Sequence, residues 1–233
     1  MHVLAVASRK GGSGKTTLSG HLAVQAEAAG AGPAALIDVD PQGSLAAWWN
    51  ERTADTPVFV QARLDRLERD VAGLRESGIA LVVIDTPPAI TDTIRRVVRV
   101  ADLVLVPTRP SPHDLRSASA TVALVEELGK PLVFVLNAAT PRARITAEAM
   151  SALSQHGTLA PAIVHQRVDF AASMTDGRTV MELPAESRSG EEIAALWDYL
   201  HRRLERAPPR SAFPFGGTLG ALRRGFGPRA ASA

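Results

Sequence analysis

The chain has 233 residues, enough for one α/β domain with a full core or at most two small ones. It contains no cysteine, which excludes disulfides, thiolate metal sites and iron–sulfur clusters, and no apolar run approaches the ~20 residues of a membrane-spanning helix. Its 26 basic and 24 acidic side chains leave a net charge of +2, too small by itself to indicate a nucleic-acid partner.

The first predicted strand, 2–8, ends in Lys10-Gly11-Gly12-Ser13-Gly14-Lys15-Thr16-Thr17 and leads into a predicted helix over 15–29. A strand feeding a glycine-rich turn that opens a helix is a phosphate cradle, because backbone N–H groups and the helix dipole point at one place. Lys15 adds a point charge for the outer phosphates, and Thr16 offers Mg²⁺ a hydroxyl. Arg9 stands where the usual form of this loop has its first glycine, and a second lysine, Lys10, stands at the mouth. The only other lysine is Lys130; every remaining basic residue is arginine. Compact ammonium groups at 10 and 15 suit phosphates in a way a planar guanidinium does not. The apolar stretch after Met1 runs straight into this loop and is too short for a signal peptide, so a cytoplasmic protein is expected.

Further strands are predicted at 34–38, 57–61, 79–84, 102–107, 131–137 and 159–164, and helices at 43–52, 63–76, 91–100, 113–128, 143–155 and 191–205. Leu81-Val82-Val83-Ile84 and Leu103-Val104-Leu105-Val106 are apolar throughout, as strands covered on both faces are. Alternating strands and helices imply an α/β fold: a doubly wound, mostly parallel sheet flanked by helices. Ligands of such sheets sit at the carboxyl ends of strands, and the polar signals fall there. The second strand ends Asp38-Val39-Asp40-Pro41-Gln42-Gly43, and a carboxylate beside a magnesium–triphosphate site can orient or deprotonate an attacking water. A bland alternative is that Asp40 only caps the following helix. The fourth strand delivers Asp85 before Thr86-Pro87-Pro88, a carboxylate placed for Mg²⁺. Thr16, Asp40 and Asp85 are the expected metal-side group.

These segments together resemble the deviant P-loop ATPases of the ParA/MinD group, and more closely the small single-domain ParA branch. The resemblance runs over most of residues 1–205 and implies a P-loop NTPase fold with ATP and Mg²⁺ as cofactors. It also implies a homodimer closed over two nucleotides, with Lys10 reaching the partner's ATP and Asp40 holding the hydrolytic water. Pro107-Thr108-Arg109-Pro110-Ser111-Pro112-His113-Asp114 is similar to a family loop near the dimer contact, making Pro110, Ser111 and Asp114 dimer candidates. Asn137 matches the position from which a family asparagine meets the adenine base. Residues 166–182 look like a late family segment near the base.

By the same resemblance, slow ATP hydrolysis times a switch between states. The dimer binds nonspecific DNA on the nucleoid, and a ParB-type adaptor on a cargo stimulates hydrolysis. Candidate DNA contacts are Arg142, Arg144, Arg167, Arg178, Arg202, Arg203 and Arg206. Residues 206–233 are rich in Pro, Gly and Ala, carry five arginines and no acid, and read as a basic tail beyond the ATPase domain. Phe213, Phe215, Leu219, Leu222 and Phe226 leave open an alternative, a MinD-like membrane-cycling ATPase, although the tail's glycines and prolines make a poor helix. Iron-protein chemistry would need bridging cysteines, and a tyrosine-kinase relative would need a tyrosine cluster; Tyr199 is the only tyrosine.

Overall fold

The computed structural model describes residues 1–89, 92–183 and 187–206. Strands β1 (His2–Val6), β2 (Ala34–Asp38), β3 (Val58–Phe59), β4 (Leu81–Asp85), β5 (Leu103–Thr108), β6 (Leu132–Ala139) and β7 (Thr158–His165) form one sheet in the order β3-β2-β4-β1-β5-β6-β7. Every pairing is parallel. The helices are α1 (Lys15–Ala28), α2 (Ser44–Asn50), α3 (Leu67–Glu76), α4 (Asp92–Val100), α5 (Pro112–Glu127), α6 (Arg144–Ser154), α7 (Val168–Met174) and α8 (Arg188–Glu205).

The pleat divides the core. Along β1, Val3 and Ala5 pack with apolar residues of α3, α4, α5 and α6, whereas Leu4 and Val6 pack with those of α1, α2, α7 and α8. Helices on both faces of a parallel sheet explain why the central strands carry no polar alternation. The expected doubly wound fold is the observed one.

Helix α1 is buried nearly all round, with Leu18, Gly20, His21, Leu22 and Ala23 among its covered residues. Gly14, in a left-handed conformation, starts it. Gly30 ends it at φ +73°, and the N–H of Ala31 returns to the Ala26 carbonyl over 2.9 Å. Helix α2 leans on it: the Trp48 ring lies against Gly20, where a Cβ would come within 3.1 Å of the indole.

Most element ends fall within two residues of the sequence expectation, and four differences are larger or add an element. β3 is two residues long rather than five, an edge strand that begins just after Pro57. The helix expected over 63–76 begins as a 3-10 turn at Leu64–Arg66 and becomes α3. Between β7 and the last helix lie α7 and a 3-10 turn at Val180–Glu182, neither of them expected. The last helix starts at Arg188 rather than 191, because the Ser187 hydroxyl accepts the Gly190 N–H and caps it. Arg206 closes that helix; the rest of the expected tail, residues 207–233 with its phenylalanines, lies outside the described residues. Among the described residues, no helix is long and apolar enough to cross a membrane.

Candidate active site

β1 sits between β4 and β5, with Val6 in register with Asp85 on one side and Leu105 on the other. The loops leaving these three strands therefore emerge side by side at one edge. The glycine-rich loop occupies the middle. Gly12 and Gly14 have φ of +71° and +93°, conformations that L side chains rarely adopt. A Cβ on Gly14 would fall 2.0 Å from the Asn137 amide nitrogen. That amide donates to the Ser13 carbonyl over 2.7 Å, so β6 braces the loop from behind. Asn137 is expected from the sequence to meet a base; in the structure its amide nitrogen supports the phosphate loop.

Lys15 is largely buried and its ammonium donates to the Lys10 carbonyl over 3.2 Å, folding across the loop. Burial lowers its pKa, opposed by the nearby carboxylates Asp85 and Asp40. Thr16 donates to Asp85 over 2.6 Å, and Ser19, one turn further along α1, donates to the other Asp85 oxygen over 3.3 Å. Burial pushes the Asp85 carboxyl up to about 7, with Asp38 adding to the shift and Thr16, Lys15 and Ser19 opposing it. A divalent cation beside Asp85 would favour its ionised form. Magnesium takes few protein ligands and fills its octahedron with water and phosphate oxygens. A threonine hydroxyl beside a buried carboxylate is a donor set that fits it, and no three carboxylates or imidazoles converge among the described residues to suggest another metal.

The two aspartates at the end of β2 divide their roles. Asp38 accepts the N–H groups of Leu45 and Ala46 over 3.0 and 3.1 Å, capping α2, and also that of Asp40 over 2.9 Å. The cap that the sequence allowed for Asp40 thus belongs to Asp38, a residue given no role from the sequence. The Asp40 carboxylate accepts the Gln42 N–H over 3.0 Å, in a turn closed by the Gly43 N–H on the Asp40 carbonyl, with Gly43 at φ +65°. Its second carboxylate oxygen carries no hydrogen bond from the described residues.

Ser111 caps α5: its hydroxyl accepts the Asp114 N–H and donates to the Asp114 carboxylate. Of the dimer candidates, Ser111 and Asp114 therefore build a helix start next to the phosphate loop, and Pro110 leads into it. One Asp114 oxygen is buried without a hydrogen bond among the described residues, as is the Ser13 hydroxyl.

The family model described as CbiA, the CobQ/CobB/MinD/ParA nucleotide-binding domain, matches residues 4–180. The chain belongs to this family of P-loop ATPases. A relative named maintenance of carboxysome distribution protein A, from Halothiobacillus neapolitanus, is 30% identical over 200 residues, covering 81% of this chain and 91% of that protein. Among solved structures, a variant of Cyanothece McdA in complex with ATP superposes with a TM-score of 0.66 at 18% identity, covering 86% of this chain and 96% of that one. The septum site-determining protein MinD from Pyrococcus horikoshii, complexed with Mg-ADP, gives 0.73 at 14% identity, covering 87% and 96%. These two likenesses concern the fold.

The seven candidate DNA arginines do not form one patch. Arg142 and Arg144 follow β6 and Arg167 follows β7, and these neighbouring strands meet at Ala139 and His165, on the edge that carries the phosphate loop. Helix α8 runs back from that edge, where Glu192 holds His165 and Arg167, to the opposite edge, where His201 and Glu205 lie near His2. Arg202, Arg203 and Arg206 consequently sit at the far edge. Arg178 lies on the α2 face, paired with Asp176 at 2.7 Å, while Arg144 pairs with Glu148 and Arg167 with Glu192, each also at 2.7 Å.

Proposed function

We propose that this chain is a Mg²⁺-dependent ATPase that dimerises on ATP and positions a cargo, using nonspecific DNA as its track and a ParB-type adaptor as its trigger. The observation that carries the reading is the Thr16–Asp85 hydrogen bond at the start of α1, with Lys15 lying across the same loop. Gly11 to Thr17 would cradle the phosphates, and Thr16, Asp85 and Asp40 would hold the metal. The bound metal would supply charge neutralisation of the phosphates.

Asp40, with one carboxylate oxygen accepting no hydrogen bond from the described residues, would orient a water and accept its proton. Lys10 is exposed at the loop and is the residue that would reach a partner subunit's nucleotide. Pro110, Ser111 and Asp114 flank that face. The relative's name concerns carboxysome distribution, which supports a positioning role; the cargo here is set by the adaptor. Arg142, Arg144 and Arg167 share the phosphate-loop edge and are the preferred DNA contacts, with cytoplasmic, nucleoid-bound protein as the expected location.

The test combines phosphate release with sizing in ATP and magnesium. Wild type is expected to hydrolyse ATP slowly and to shift to a two-subunit species, which Lys15→Ala abolishes. Glutamate at positions 142, 144 and 167 is expected to remove DNA binding and leave ATP binding intact. A wild-type protein that neither binds ATP nor changes size would refute the proposal.

A further inference from the structure

Beside the phosphate loop stands a cation that the roles above do not use. The loop after β5 carries Arg109, and Nη2 of this residue lies 4.0 Å from where a Cβ on Gly12 would stand. Arg109 is exposed, and its guanidinium makes no hydrogen bond or ion pair among the described residues. Its backbone is nonetheless fixed. The Ser111 N–H donates to the Arg109 carbonyl over 2.7 Å, Ser111 caps α5, and Pro110 and Pro112 stiffen the turn between them.

The guanidinium lies beside Gly12, in the loop that carries Lys10 and Lys15 and leads into the positive end of α1. Asp85 and Asp40 offset part of the positive charge at Lys15, whereas no carboxylate among the described residues pairs with Arg109, which leaves its charge for an anion at the loop. Gly12 has no side chain to block the approach. The Lys15 ammonium, the group expected at the outer phosphates, rests on the carbonyl of Lys10, two positions before Gly12. Arg109 therefore stands at the outer end of the loop, whereas Asn137 braces the inner end at Ser13 and Gly14.

We propose that Arg109 is a second cationic contact to the terminal phosphate of a nucleoside triphosphate held by the same subunit, an assignment that rests on the nucleotide site proposed above. A guanidinium fork matches two phosphate oxygens at once, which a lysine cannot do. Arg109 then distinguishes triphosphate from diphosphate.

Fluorescent ATP and ADP analogues titrated into wild type, Arg109→Ala, Arg109→Lys and Lys15→Ala, with melting curves alongside, test this. Arg109→Ala is expected to weaken ATP binding about tenfold, the loss of one charge-assisted contact, with ADP affinity and melting temperature little changed. Arg109→Lys is expected to recover part of the loss. Equal weakening of ATP and ADP, or no weakening of either, overturns the proposal while leaving the nucleotide site standing. Retained ATP affinity with loss of the dimer overturns it in favour of a contact to the partner. A wild-type protein that binds neither nucleotide removes the site and this proposal together.

Discussion

Thr16 and Asp85, 69 positions apart in the chain, are joined by a 2.6 Å hydrogen bond in which the hydroxyl donates. The bond exists because β1 and β4 are neighbours in register, so the turn after one strand meets the last residue of the other. Burial raises the Asp85 pKa to about 7, and a divalent cation would reverse that shift by favouring the carboxylate. Asp85→Asn keeps the shape and loses the charge. Its nucleotide affinity in magnesium is expected to fall about tenfold or more, while affinity in EDTA stays near the wild-type value. Parallel titrations in the two buffers check this, and an equal drop in both would mean that Asp85 serves only to hold Thr16.

The aspartates at the end of β2 separate stability from chemistry. Asp38 satisfies two N–H groups at the start of α2, so Asp38→Ala is expected to cost about 1–2 kcal/mol in urea unfolding. Asp40 accepts one exposed turn amide, so Asp40→Ala is expected to leave stability and ATP binding nearly unchanged. Phosphate release should fall about 100-fold or more. If the two variants exchanged these effects, the assignment of roles would be reversed.

The contiguous parts of the site were legible because their geometry is local. Eight residues from Lys10 to Thr17 define their own turn, and the apolar strand before Asp85 places that carboxylate at the same sheet edge. Which of Asp38 and Asp40 caps α2 was not legible, since either carboxylate could serve until the Gly43 turn brings the first amides of α2 onto Asp38. Nor was the scatter of the arginines. Arg167 and Arg202 look like one basic region in sequence, but α8 carries the second to the opposite edge of the sheet. Helix α7 is not legible in the sequence because seven residues are too few to show a helical period.

A buried histidine makes the fold sensitive to acid. His21 donates from Nδ1 to the Thr17 carbonyl over 2.7 Å, and its Nε2 accepts the Val180 N–H over 3.2 Å, so the ring is neutral. Phe170 packs edge-on against it at 5.2 Å, and the charges of Glu182 and Arg52 lie close by and oppose each other. Burial pushes its pKa down to about 4, whereas the unfolded chain binds the proton near the ordinary value of 6.5. The neutral ring therefore stabilises the fold above pH 6.5, and this contribution is lost as pH falls toward 4. Over that window it amounts to about 3 kcal/mol. His21→Gln is expected to be less stable at neutral pH but to lose about 2–3 kcal/mol less than wild type between pH 7 and 4.5. Urea titrations across that range check it; parallel pH profiles would show that the ring is protonated in the fold.

Gly177 is the point at which the late segment closes onto α2. Its φ is +74°, and a Cβ there would lie 2.4 Å from the backbone nitrogen of Arg52. Arg52 in turn donates to the Gly177 carbonyl over 2.7 Å and pairs with Glu182 at 2.9 Å, its guanidinium covering the Trp48 ring at 5.0 Å. The Trp48 indole donates to the Arg178 carbonyl over 3.1 Å, so three side chains tie residues 177–182 to the helix that begins just after Asp40. Gly177→Ala pays left-handed strain and forces that joint apart, for an expected loss of about 2–3 kcal/mol. Arg52→Ala leaves Glu182 half-buried without its partner, and an expected loss of about 3 kcal/mol follows. Because both changes act on one joint, their double variant should lose clearly less than the sum of the two. Unfolding free energies for the four proteins decide this: full additivity would mean that Gly177 and Arg52 act separately, and that the late segment does not hold α2 in place.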